Sequence, residues 1–143
     1  MAKRMSLILV LLTLISAVLY AQKQKSYQPN NAELQEEYEN YNDWYFSGAL
    51  PRNVPVSWDD IPMENGLYVM GRTYEDIAGT KFSIVIDTKT NITKSTTSLT
   101  LEHEMCHVAT YDYVKEHGED AHGQRFEACM TRLADEGAMQ DLW

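Results

Sequence analysis

The sequence predicts an α+β domain in which a small, three-stranded, mostly antiparallel sheet packs on three helices. Three observations carry that expectation. The length of 143 residues suits one domain. Apolar residues recur at helical spacing in three separate segments, while a β-branched run, Lys81-Phe-Ser-Ile-Val-Ile-Asp87, has the composition of a strand. The order along the chain is helix, three strands, helix, helix, and the strand-like segments are joined by short turns, which favours antiparallel neighbours.

The first segment stands apart from that domain. Lys3 and Arg4 give a basic start, and residues 7–20 are apolar except for Thr13 and Ser16. A signal-peptide core runs to about 7–15 residues and a membrane-spanning helix needs about 20, so residues 1–21 are expected to be a signal peptide cleaved after Ala21. The competing arrangement is an uncleaved anchor, with residues 5–21 tethering the domain to a membrane. Either way the domain is exported, to the periplasm or beyond. Residues 22–30 are polar and form a linker, and residues 31–143 form the domain.

Within the domain, Asn30 and Glu33 open a helix over residues 31–46 whose inner stripe is Leu34, Tyr38, Tyr41 and Tyr45; Ser47-Gly48 and Pro51 stop it. Strands are expected at residues 54–58, 66–73 and 81–87, with turns at Glu64-Asn-Gly66 and Asp76-Ile-Ala-Gly79. A helix apolar on most faces follows over residues 97–116, with N-cap candidates at residues 95–98 and Gly118 as its stop. The last helix covers residues 122–136, with Phe126, Met130 and Leu133 inward and Gly137 at its end.

Net charge is −9 at neutral pH, and removal of residues 1–21 takes away Lys3 and Arg4 but no acidic residue. A surface so negative repels phosphate backbones, which argues against nucleic-acid partners. Two cysteines, Cys106 and Cys129, are too few for a four-cysteine zinc ribbon. An oxidising compartment permits a disulfide between them. Asn91-Ile-Thr93 matches a glycosylation acceptor, which has meaning only in a eukaryotic host.

The chemistry concentrates on His103-Glu104-Met105-Cys106-His107. Positions i and i+4 share one helical face, so both imidazoles can meet one metal ion, and imidazole nitrogen is a good zinc ligand. Glu104 stands beside the first ligand, where it can take a proton from zinc-activated water. Polar, titratable groups on an otherwise apolar helix are unfavourable unless something pairs with them, and a metal supplies that pairing. A catalytic zinc needs a third protein ligand. Thr110 and Tyr113 occupy the positions where a metzincin would carry Gly and His. His117, His122 and Glu127 remain; His122 is favoured because Gly118 lets the chain turn back before it. Tyr111, Tyr113 and Arg125 are candidates for stabilising an oxyanion, and the strand at residues 81–87 is a candidate edge for binding an extended peptide.

His103-Glu-Met-Cys-His107 followed by His122-Gly123-Gln-Arg-Phe126 resembles the SprT-like (Spartan-type) metallopeptidase domain. Tyr41-Asn42, Tyr45-Phe46, Gly48, Leu50-Pro51 and Val56-Ser-Trp58 are similar to that family's first helix and first strand. The resemblance implies a zincin-like fold, His103, His107 and His122 as ligands of Zn2+, Glu104 as catalytic base, and a protein or peptide substrate. Family members that act on DNA-bound proteins add DNA-binding parts, often a zinc ribbon, and this sequence shows no ribbon. The expected activity is therefore a zinc-dependent endopeptidase. The alternatives are a noncatalytic zinc-stabilised binding module and an intracellular DNA-associated protease.

Overall fold

A computed structural model describes residues 27–139. The expected signal peptide or anchor (residues 1–21) and the first part of the linker lie outside the described residues. In chain order the elements are α1 (Asn31–Tyr45), β1 (Val56–Asp59), β2 (Gly71–Glu75), β3 (Phe82–Asp87), α2 (Lys94–His117) and α3 (Gln124–Asp135). The α+β class and the three-stranded sheet with three helices agree with expectation. No helix among the described residues is long and apolar enough to cross a membrane.

α1 begins with a capping box. The Asn30 side chain accepts from the backbone N–H groups of Ala32 and Glu33 at 3.0 and 3.1 Å, and Glu33 accepts from the Asn30 N–H at 2.8 Å. It ends where Ser47 and Gly48 take positive φ, 55° and 69°. The buried Asn42 then bonds both the N–H and the carbonyl of Leu50, each at 3.0 Å, which folds the exit loop back on the helix.

The sheet has the order β1-β3-β2, with β1 parallel and β2 antiparallel to β3. This mixed pairing corrects the mostly antiparallel expectation. Residues 60–81, which include β2, form the crossover that parallel neighbours require. β3 is therefore central, with Ile84 and Ile86 wholly buried. That overturns its expected role as a peptide-binding edge: a β-branched run marks a strand covered by neighbours rather than an edge. The free edge beside α2 is β2.

Element boundaries moved for local reasons. Pro55 has no N–H, so the β1 ladder begins with its carbonyl, which accepts from Ile84 N–H at 2.9 Å. β2 starts at Gly71 rather than residue 66, because Asn65 and Gly66 (φ 50° and 79°) close a two-residue turn bridged by Glu64 and Leu67. α2 starts at Lys94 rather than residue 97, because Thr93 caps it in a box with Thr96. α3 starts at Gln124, capped by Gly123, two residues later than expected.

Asn91, read as a glycosylation acceptor, is wholly buried and unable to serve as one in the folded chain. Its side-chain amide donates to the carbonyls of Met70 (2.7 Å) and Asp87 (2.9 Å), and its oxygen accepts from the Thr100 hydroxyl at 2.6 Å. These bonds join the ends of β2 and β3 to α2. Asn91→Ala strips those buried partners at once and is expected to lower stability by about 2–4 kcal/mol in urea unfolding.

Candidate metal centre

α2 crosses the sheet and carries His103 and His107 one turn apart on the face turned towards α3. Gly118, in the left-handed conformation with φ 63°, ends α2 and lets the chain reverse. The return loop is tight. The His122 N–H donates to the Asp120 side chain at 2.9 Å, and the Gly123 N–H donates to the Asp120 carbonyl at 2.8 Å. A Cβ at Gly123 would stand 2.9 Å from the Asp120 carbonyl oxygen, so a larger residue there would force the turn to shift.

This reversal brings three imidazoles together. The Nε2 separations are 3.2 Å for His103–His107, 3.1 Å for His107–His122 and 3.2 Å for His103–His122. Phe126, buried on the first turn of α3, lies under all three rings with centroid distances of 4.5–4.8 Å. The Cys106–Cys129 disulfide ties α2 to α3 beside this cluster and closes a loop that contains His107, His122 and Phe126.

Four-coordinate zinc holds nitrogens about 2.0–2.1 Å away, which sets tetrahedral ligand nitrogens about 3.3 Å apart. The observed separations match that spacing closely. Burial, and then the neighbouring imidazoles, push the pKa of His103 and of His107 down to about 4. Both rings are therefore neutral at physiological pH and keep the lone pair that a cation needs. The cluster fits a zinc ion. His117 and Glu127 fall outside it. The His117 Nδ1 lies 2.9 Å from the Tyr113 carbonyl, and its ring stacks on Tyr113 at 4.0 Å.

Glu104 points towards β2. The Thr73 hydroxyl lies 2.8 Å from Glu104 Oε2 and 3.1 Å from the Glu104 carbonyl. Gly71 makes the close approach of β2 feasible: a Cβ there would sit 2.6 Å from Thr100 Cγ2 and 3.0 Å from Glu104 Oε1. Burial raises the Glu104 pKa to about 7, against the opposing pull of the Thr73 bonds and of Arg72. A carboxyl group tuned to that range can take and return a proton near neutral pH.

Glu104, His107 and His122 open onto one cleft of about 400 Å³, walled by Val69, Arg72, Tyr111, Val114 and Ala121. Of the three oxyanion candidates, Tyr111 faces this cleft. Tyr113 and Arg125 instead stack on each other, at 5.3 Å, away from it. Sequence reasoning missed Gly71, Arg72 and Thr73, whose relation to Glu104 depends on strand register. It also missed Glu102, which is 1% exposed and whose Oε2 has no hydrogen-bond partner. Burial pushes the Glu102 pKa up to about 8.

A model of the SprT-like family matches residues 34–141. No curated protein and no solved structure matches the chain.

Two outcomes are expected. In zinc titrations of apo protein, His122→Ala should weaken binding at least 100-fold, roughly the loss of one ligand, whereas Glu127→Ala should bind as wild type. Full zinc retention by the His122 variant would remove it from the ligand set. The second outcome concerns pH. Because the folded-state pKa of Glu102 lies above its unfolded value, the group favours folding below about pH 4.5 and loses that contribution as pH rises through about 8. Glu102→Gln should therefore stabilise zinc-free protein at pH 8.5 by on the order of 3 kcal/mol and give no advantage at pH 4.5. Urea unfolding at the two pH values reads the difference.

Proposed function

Because the chain belongs to the SprT-like family, we propose that it is a zinc-dependent endopeptidase, exported from the cytoplasm, that cuts extended segments of protein substrates. The chief support is the convergence of the His103, His107 and His122 nitrogens at a cleft that also receives the buried carboxylate of Glu104. A purely structural zinc site has no use for a buried carboxyl group that opens on the same cleft. The apolar leader of residues 1–21 and the net charge of −9 support export and argue against a DNA-bound role.

Zinc, when bound by the three imidazoles, supplies a Lewis acid that acidifies water and polarises the scissile carbonyl. Glu104 accepts the proton shed by the attacking water and passes it to the departing amine nitrogen. Thr73 fixes the plane of that carboxylate, and Gly71 leaves it room. Tyr111, a side-chain donor on the cleft wall, is assigned to the developing oxyanion.

The substrate lies along the free edge of β2, where unpaired backbone groups accept an extended chain. Leu67 and Tyr68 stand 71% and 70% exposed just before that strand, and Tyr74 is exposed on it. Such apolar surface beside a cleft suits unfolded segments that display their own apolar residues.

The test uses residues 22–143, loaded with zinc and mixed with an unfolded protein, with cleavage followed by mass spectrometry. Glu104→Gln should bind zinc as wild type and lose at least about 100-fold in kcat. Thr73→Val, which frees the carboxylate without removing it, should lose about 10-fold in kcat with KM little changed. Equal cleavage by wild type and the Glu104 variant would end the proposed role of Glu104.

A further inference from the structure

The histidine-lined cleft continues past Glu104 and His107, and its far stretch has a different character. His107, Thr110, Tyr111 and Val114 all line it. Their helical spacing puts them on one face of α2. At a rise of about 1.5 Å per residue, Val114 stands about 10 Å along the helix from His107. That distance spans about three residues of an extended chain. Ala121, one residue ahead of His122 on the return loop, also lines the cleft.

These side chains offer apolar surface. Val114 and Ala121 carry no polar side-chain atom. The Thr110 hydroxyl donates to the Cys106 carbonyl at 2.8 Å, which leaves its methyl group as the surface on offer. Tyr111 contributes its ring, packed edge-on with Phe82 at 5.1 Å and covered by the Lys115 ammonium at 5.4 Å. Besides the two imidazoles, the ionisable side chains of the lining are Glu104 and, on β2, Arg72 and Glu75. Arg72 is already engaged, paired with Glu64 and lying over the Tyr74 ring at 5.9 Å. A surface of this kind gains when an apolar group covers it and loses when a charge is buried on it.

We infer that Thr110, Tyr111, Val114 and Ala121 form a subsite for one large aliphatic or aromatic side chain of the substrate. The subsite rests on the endopeptidase activity proposed above and adds to it the class of sequence that is cut. A chain paired with β2 turns alternate side chains towards α2, so the subsite reads one fixed position, first or second from the scissile bond on one side. Leu, Phe and Met suit it. Asp and Glu are rejected, because a carboxylate would lose its water there with Glu75 and Glu104 lining the same cleft.

The first arm of the test reads binding without cleavage. Full-length chain carrying Glu104→Gln, loaded with zinc, is titrated with N-acetyl-leucinamide and N-acetyl-alaninamide while the Val114 methyl resonances are followed by NMR. The leucine compound should shift them with millimolar affinity, and the alanine compound should bind at least about tenfold more weakly. Equal binding, or no shift up to about 50 mM of the leucine compound, would overturn the subsite. In the second arm, zinc-loaded wild type, Val114→Phe and Val114→Ala cut an unfolded protein, and the sites are mapped by mass spectrometry. Wild type should place Leu, Phe or Met at one fixed position beside the cut. Val114→Phe fills the recess and should lose at least about tenfold in kcat/KM at those sites, turning to Ala, Gly or Ser there, with zinc affinity unchanged. Val114→Ala, which crowds nothing, should turn the preference towards Phe and Tyr. Cleavage with no positional preference, or with the same preference in all three proteins, would overturn the subsite and leave the peptidase reading standing. Binding of the leucine compound without any cleavage by wild type would support the subsite and overturn the peptidase reading instead.

Discussion

The rest of the structure depends on one closure, the return of the chain after α2 that carries His122 back over His103 and His107. Two imidazoles one turn apart on a helix come from helical geometry alone. The third has to be delivered by a loop, held to about 3 Å by features with no other evident purpose. Gly118 reverses the chain, Gly123 permits the turn, Phe126 supplies a floor for all three rings, and the Cys106–Cys129 disulfide clamps the two helices beside them. A disulfide acts mainly by restricting the unfolded chain, worth about 3 kcal/mol for a loop of this size. Here it also keeps α3 from drifting away while like nitrogens crowd together. Such bonds form and persist in oxidising compartments.

The sheet answers a different need, the placement of Glu104. α2 is fixed against β2 and β3, and the contact is closest where Gly71 meets Thr100 and Glu104. One residue later along the same inward face, Thr73 bonds the carboxylate. Because strand side chains alternate, Gly71 and Thr73 share that face, and a one-residue slip of β2 would replace them with Arg72 and Tyr74. The antiparallel register of β2 on β3, anchored by Asn91 at the Met70 carbonyl, therefore positions a group of the histidine-lined cleft as well as stabilising the sheet.

What could be read from the sequence follows from whether a signal was local. The capping box at Asn30, the stop at Gly118 and the stripes of α1 and α3 are encoded by neighbours within one helical turn, and they appeared where expected. That His103 and His107 share one face was legible for the same reason, and the approach of His122 from the turn residues ahead of it together with the family resemblance. Pairing between strands is not local. Nothing in residues 54–58 or 81–87 says that they run parallel, so β3 was taken for an edge when it is the middle strand. Thr73 and Gly71 were invisible for the same cause, since their meaning comes from facing Glu104 across a contact separated by some thirty positions. Asn91 was misread because a three-residue pattern carries no information about burial.

Glu102 and Glu104 make an instructive pair. They lie two positions apart on one helix, both are nearly inaccessible, and both have their pKa raised by burial. Neither arrangement helps folding. Glu104 is held by the Thr73 hydroxyl and opens on the metal cleft, so its strain is explained by the chemistry assigned to it. Glu102 Oε2 has no such partner, and the residue lines a small cavity that Tyr41, Trp44 and Tyr45 share with Lys94, Ser95 and Ser98. Places where a sequence departs from what stability alone would select are where function is to be sought. On that ground the two carboxyl groups stand on equal footing, as departures from what stability alone would select.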